Sequence, residues 1–137
     1  MLGGTSDQEI AAFMAELKPI KGMPSFGGVF SNDELNNPDR NKIYILNLQN
    51  SDEGGSHWTL LHNGWYFDSY GVVPTKRISR FVKSWNKNDY QGLNRNSCGH
   101  FCMYVAVRLM AGLPPTSELI SGKQTHNENV LEAFFYL

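Results

Sequence analysis

Cysteine is almost missing from this chain: its 137 residues include two, Cys98 and Cys102. Two thiols cannot build a disulfide framework or fill a four-cysteine metal site. Charge is sparse as well. Asp, Glu, Lys and Arg make up 18% of the residues, below the ~25% of an average soluble domain. A net charge of −1 gives no overall pull toward nucleic acid or a membrane surface. Long apolar runs are lacking: the stretch from Phe101 to Leu113 is broken by Arg108 and is too short to span a bilayer. Asp7 and Glu9 stand where a secretory leader would carry basic and apolar residues. There is no internal repeat and no low-complexity segment. These absences lead to the expectation of one domain over residues 1–137, neither secreted nor membrane-bound, in a reducing compartment where both thiols stay reduced.

Apolar residues are 41% and aromatics 12%, enough for a substantial core. Ser6-Asp7-Gln8-Glu9 has the form of a capping box. Ile10, Phe13, Met14 and Leu17 follow at helical spacing, so a helix is expected over 7–17. Residues 18–41, rich in Gly, Pro, Asn and Asp, read as irregular, and 43–48 as a central strand. Asn63-Gly64 is a strong hairpin-turn signal joining strands 57–62 and 65–68. A helix is expected over 76–87 with Ile78, Phe81, Val82 and Trp85 on one face, then a short strand at 88–91. A long helix begins near Cys98, capped by Ser97 or Asn96, and stops at Gly112 ahead of Pro114 and Pro115. Cys98, Phe101, Cys102, Val105 and Leu109 form its core stripe, with His100, Tyr104 and Arg108 toward solvent. A last helix covers roughly 126–136, and the whole order indicates an α+β fold.

A cysteine at the start of a buried helix has chemical potential, because first-turn N–H groups and the helix dipole favour a thiolate. A thiolate nucleophile needs a base. His100 lies about 200° round the helix from Cys98 by the ~3.6-residue period. His62 has the opposite strand parity to His57, and spacing leaves His126 open. His57 has a positive argument. With the turn at Asn63-Gly64, Thr59 faces Asp68, and His57 and Asp68 become diagonal neighbours on one face, their Cβ atoms roughly 7–8 Å apart. A carboxylate there would orient the imidazole and support its charged form. Gln91, seven residues before Cys98, could join the Cys98 N–H as an oxyanion donor. Gly99 would leave room for a substrate to approach, and Trp58 would pack beside the imidazole at a substrate-facing position. Cys102 reads as core packing one turn along.

The segments Gly54-Gly55-Ser56-His57-Trp58, Phe67-Asp68-Ser69-Tyr70-Gly71 and the run from Gln91 to Cys102 resemble the adenovirus-type maturation cysteine proteases, relatives of the SUMO-deconjugating proteases. The spacing Gln-Gly-x-Asn-x-x-x-Cys-Gly-x-Phe-Cys carries most of the likeness. The resemblance implies a small papain-like α+β fold, with a central helix bearing the nucleophile packed on a mixed or antiparallel sheet. It implies a cysteine endopeptidase that processes viral capsid precursors after glycine-containing sites, in the virion and the host-cell cytoplasm or viral factory. Residue by residue, Cys98 resembles the nucleophile, His57 the base, Asp68 the orienting acid and Gln91 the oxyanion donor. The acid departs from the pattern: it is Asp rather than Glu and follows His57 more closely. So short a chain suits the virophage- and Maverick-encoded members. No cofactor is implied, and a monomer is expected.

The resemblance also implies DNA as an activator. Half of the basic residues crowd into 76–95, and Lys76, Arg80, Lys83 and Lys87 would share one face of the expected helix, a possible weak DNA contact. A solvated helix surface is the simpler reading, given the near-neutral net charge. Met1-Leu2-Gly3-Gly4 ahead of Thr5 fits the family's cleavage pattern, although glycines after a start codon are the simpler reading. Two rival functions stand beside the protease: deconjugation of a ubiquitin-like modifier, and a metal-binding module using Cys98, His100, Cys102 and His57. On a helix His100 points away from both cysteines, which prevents tetrahedral closure.

Overall fold

A computed structural model describes residues 4–48, 57–92 and 97–136. The chain is mixed α+β. Four helices, α1 (Asp7–Ala15), α2 (Lys76–Ser79), α3 (Cys98–Met110) and α4 (Gln124–Tyr136), accompany five strands. The strands are β1 (Ser25–Ser31), β2 (Lys42–Asn47), β3 (Trp58–His62), β4 (Trp65–Asp68) and β5 (Ser84–Trp85). They form one sheet in the order β1-β2-β3-β4-β5, antiparallel at its centre and parallel at both edges.

Local signals account for most of this. Ser6 and Glu9 form the capping box in both directions, at 3.1 and 3.2 Å. Asn63 and Gly64 both take positive φ, 48° and 81°, as a type I′ turn requires. The resulting register pairs Thr59 with Asp68 and Leu60 with Phe67. Gly112, at φ +73°, ends α3, and Leu113 N–H reaches back to the Arg108 carbonyl at 2.9 Å.

Alternation across β2–β4 splits the interior in two. Ile43, Ile45, Trp58, Leu60 and Phe67 pack with α1, α3 and α4, while Tyr44, Leu46, Leu61 and Tyr66 pack with Leu35 and Ile78 on the other face. Ile10 of α1 and Phe101, Cys102 and Val105 of α3 are fully buried. Cys102 is the core residue expected of it.

Three segments differ from their sequence-based expectation. Residues 25–31, read as irregular, form an edge strand with a bulge between Phe26 and Gly28. The glycines that argued against a strand make that bulge: a β-carbon on Gly27 would come within 2.6 Å of the Tyr44 ring, and Gly28 sits at φ +130°. The helix expected over 76–87 stops after Ser79. Lys83 and Ser84 N–H groups turn instead to the Gly64 carbonyl, at 2.7 and 3.2 Å, and the chain joins the sheet as β5. Its apolar residues still enter the core, so a helical spacing was satisfied by a turn and a short strand. No strand forms at 88–91, where Tyr90 and Gln91 N–H groups are both taken by the Ser69 carbonyl.

Candidate active site

His57 stands one residue ahead of β3, its carbonyl held by Leu48 N–H at 3.0 Å. Asp68 ends β4. The hairpin register makes them diagonal neighbours, and His57 Nε2 lies 3.0 Å from Asp68 Oδ1. That oxygen also accepts the Tyr70 N–H at 2.8 Å. The Asn86 side chain clips the Asp68 backbone from both sides, its Oδ1 accepting Asp68 N–H at 2.9 Å and its Nδ2 donating to Asp68 O at 2.7 Å. The carboxylate is thus fixed by its own main chain before the imidazole is counted. The Asp68 side chain is 1% exposed and that of His57 21%, so the acid is sealed and the ring has an open edge. The Tyr70 ring covers part of the imidazole at a centroid distance of 5.1 Å.

Cys98, the first residue of α3, is hydrogen-bonded to His57. With Nε2 engaged by Asp68, Nδ1 is the ring nitrogen left for the sulfur. Burial pushes the imidazole pKa down, but the hydrogen bonds and charges of Asp68 and Cys98 outweigh burial, and the net result is a rise to about 9. The protonated form of the ring is thereby favoured. Ser97, one of the two expected caps, occupies the N-cap of α3 without a side-chain cap bond, and Asn96, the other, lies outside the described residues. The Ser97 hydroxyl turns to Glu128 Oε1 at 2.8 Å. The first-turn N–H groups, which no earlier turn can satisfy, thus lie beside the sulfur without a Ser97 cap.

Gln91 is fully buried, and the Ser69 hydroxyl donates to its Oε1. Fixing Oε1 as the acceptor leaves Nε2 as the end that can donate. The backbone is pinned as well, with Gln91 N–H near both Ser69 O and Asp89 Oδ1 at 3.1 Å.

Trp58 and Gly99 do not line an open cleft. Trp58 is 3% exposed, and its Nε1 donates to the Thr5 carbonyl at 3.2 Å. A β-carbon on Gly99 would fall 1.9 Å from Thr5 Oγ1 and 3.2 Å from the Trp58 ring. The missing side chain at 99 accommodates the segment leading into α1, rather than the substrate expected there. Residues 1–3 of the Gly-Gly motif, and Gly54, Gly55, Ser56 and 93–96 of the resemblance, lie outside the described residues.

The other histidines are placed elsewhere. His62 Nδ1 pairs with the Lys42 carbonyl at 2.9 Å, and His126 Nε2 with the Glu118 carbonyl at 3.0 Å. His100 packs edge-on against Phe135, and burial pushes its pKa down. Tyr104 is buried against Phe134, and Arg108 bonds the Pro114 carbonyl, so this stripe faces α4 and the 114–117 turn rather than solvent. Among the described residues no three His, Cys, Asp or Glu side chains converge to hold a metal ion. Lys76, Arg80, Lys83 and Lys87 lose the helical face that grouped them: Lys83 packs on Gly64, and Lys87 and Arg80 lie over Trp85 and Phe81. No helix among the described residues is long and apolar enough to cross a membrane.

Sequence reasoning passed over Thr5, Ser69, Asn86, Asn127 and Glu128. Ser69 had a local signal, since it follows the acid directly. The contacts of the others with the site are 18 or more residues apart in the chain, and nothing in spacing could pair them. No protein-family model matches the chain, and no curated protein matches it. The site's chemistry therefore rests on its own residues. A cysteine sulfur paired with an imidazole, a buried carboxylate behind the ring and a helix N-terminus can carry out nucleophilic attack on a carbonyl carbon.

Proposed function

We propose that this chain is a cysteine endopeptidase with a papain-like arrangement, processing viral capsid or structural precursor proteins after glycine-containing sites. The observation that carries the chemistry is the imidazole of His57, held between Asp68 Oδ1 at 3.0 Å and Cys98. The likeness of the 91–102 run to the adenovirus-type maturation proteases supports the substrate class. Cys98 Sγ, its proton held by His57, adds to the scissile carbonyl carbon, and the carbonyl π electrons move to the oxygen. The Cys98 N–H and Gln91 Nε2 receive that oxyanion. As the C–N bond breaks, His57 gives its proton to the leaving amine. It then takes a proton from water, the hydroxide adds to the thioester, and the acid departs as Cys98 Sγ is released with the proton again on His57.

The test is to incubate the protein and its Cys98→Ala variant with candidate capsid precursors and, separately, with an isopeptide-linked ubiquitin-like modifier ending in Gly-Gly. Cys98-dependent cleavage of a precursor at defined glycine sites, mapped by mass, supports the endopeptidase. Cleavage confined to the isopeptide substrate would favour deconjugation instead, and turnover unaffected by Cys98→Ala would refute both.

A further inference from the structure

Two successive residues of α4 reach the two walls of the candidate site. Asn127 is fully buried. Its Nδ2 donates to the Tyr90 carbonyl at 2.9 Å and the Ile120 carbonyl at 2.8 Å, and its Oδ1 accepts Ile120 N–H at 2.8 Å. Glu128 Oε1 accepts the hydroxyl of Ser97, also fully buried, at 2.8 Å. Tyr90 directly precedes Gln91, and Ser97 directly precedes Cys98. One turn earlier on α4, Gln124 closes on Gly92: a β-carbon there would stand 2.5 Å from Gln124 Oε1. Burying an amide in a helix interface where an apolar side chain would pack more simply is costly unless its bonds serve the structure.

We propose that Asn127 and Glu128 are positioning residues that set the separation of the two oxyanion donors, the Gln91 amide and the Cys98 N–H. The inference rests on the proposed thiol-acyl chemistry. Each tether acts one residue before a donor, and the rigid helical spacing of 127 and 128 fixes one tether relative to the other. α4 itself buries little, with Asn127 and Leu131 its only fully buried side chains among those described. Phe134 and Phe135 pack the far end of α4 on Tyr104 and His100, while the polar bonds of Asn127 and Glu128 register its first turns against the site. An oxyanion site depends on donor placement at the ångström scale, and a misplacement of about 1 Å can cost ~10²-fold in rate.

The experiment separates the oxyanion from the nucleophile. Hydrolysis of acetylglycine p-nitrophenyl ester needs oxyanion donors; alkylation of Cys98 by iodoacetamide displaces iodide and needs none. Asn127→Asp keeps the shape but sets a carboxylate against two carbonyls. It should lower kcat by about tenfold or more, with KM and the alkylation rate changed by less than about threefold. Glu128→Ala should behave alike, and Glu128→Gln, which keeps the acceptor for Ser97, should restore kcat. If Asn127→Asp does not fold, the Glu128 pair decides. Ester kcat and alkylation falling in proportion, without rescue by Glu128→Gln, would reduce both residues to a structural role; unchanged kcat in folded variants would overturn the proposal. Failure of the underlying reading looks different: the unmodified protein would then show no ester turnover that Cys98→Ala removes.

Discussion

His57 engages Asp68 through Nε2, 3.0 Å from Oδ1, and is hydrogen-bonded to Cys98 as well. The histidine pKa, raised to about 9, follows from that double engagement. If the imidazolium is the proton donor to the leaving amine, kcat/KM falls as pH rises through about 9. Asp68→Asn removes a charge that raises the histidine, so the alkaline limb shifts to lower pH, and the rate loss stays smaller than for Cys98→Ala. A pH–rate profile of both proteins checks this; a limb that does not move would separate Asp68 from the titration.

The same interaction has a stability consequence. The folded pKa of His57, about 9, lies above its ordinary 6.5. Its contribution to folding is therefore complete below about pH 6.5 and lost as pH rises through about 9. Thermal melts across that window should show declining stability for the native chain. His57→Gln should flatten that decline.

Cys98→Ala should abolish turnover and leave the fold intact. The residue is 3% exposed and begins a well-packed helix, so removing its sulfur should cost about 1 kcal/mol. Ester hydrolysis together with a circular-dichroism melt measures both quantities.

Gln91→Ala should lower kcat by ~10²–10³ with KM nearly constant, as for loss of an oxyanion donor. Ser69→Ala should cost less, since it removes only the hydroxyl that orients the amide. Steady-state kinetics of the two variants gives the ranking; equal losses would assign Ser69 a further role.

Gly99→Ala should destabilise the chain by about 1–3 kcal/mol, because the new methyl meets Thr5 Oγ1 and the Trp58 ring. Adding Thr5→Gly should recover most of that loss, whereas Thr5→Ser, which keeps the oxygen, should not. Denaturant melts of the single and double variants test the coupling without reference to function.

Much of the site was legible because its parts are short-range. Asn63-Gly64 admits one tight turn, the turn sets the register, and the register puts His57 diagonal to Asp68. Cys98 at a helix start follows from local periodicity and the stop at Gly112. The helix over 76–87 failed for a complementary reason. Ile78, Phe81, Val82 and Trp85 are apolar at helical spacing, but the Gly64 carbonyl competes for the N–H groups of Lys83 and Ser84. A spacing argument cannot see a competitor from another strand. The glycines at 27 and 28 misled in the opposite direction, since a bulge uses the conformations that a loop also uses.

By itself the sequence determined the α+β composition, the hairpin, the capped first helix and the identity of the His57–Asp68 pair, all through steric and hydrogen-bonding preferences acting within a few residues. Tertiary structure alone decided that His57 is shared between Asp68 and Cys98, that Ser97 turns from its helix to Glu128, that Thr5 fills the space at Gly99, and that Asn127 holds the Tyr90 carbonyl just before Gln91. Those choices are made by groups far apart in the chain, whose bonds exist only once burial has removed water as their alternative partner.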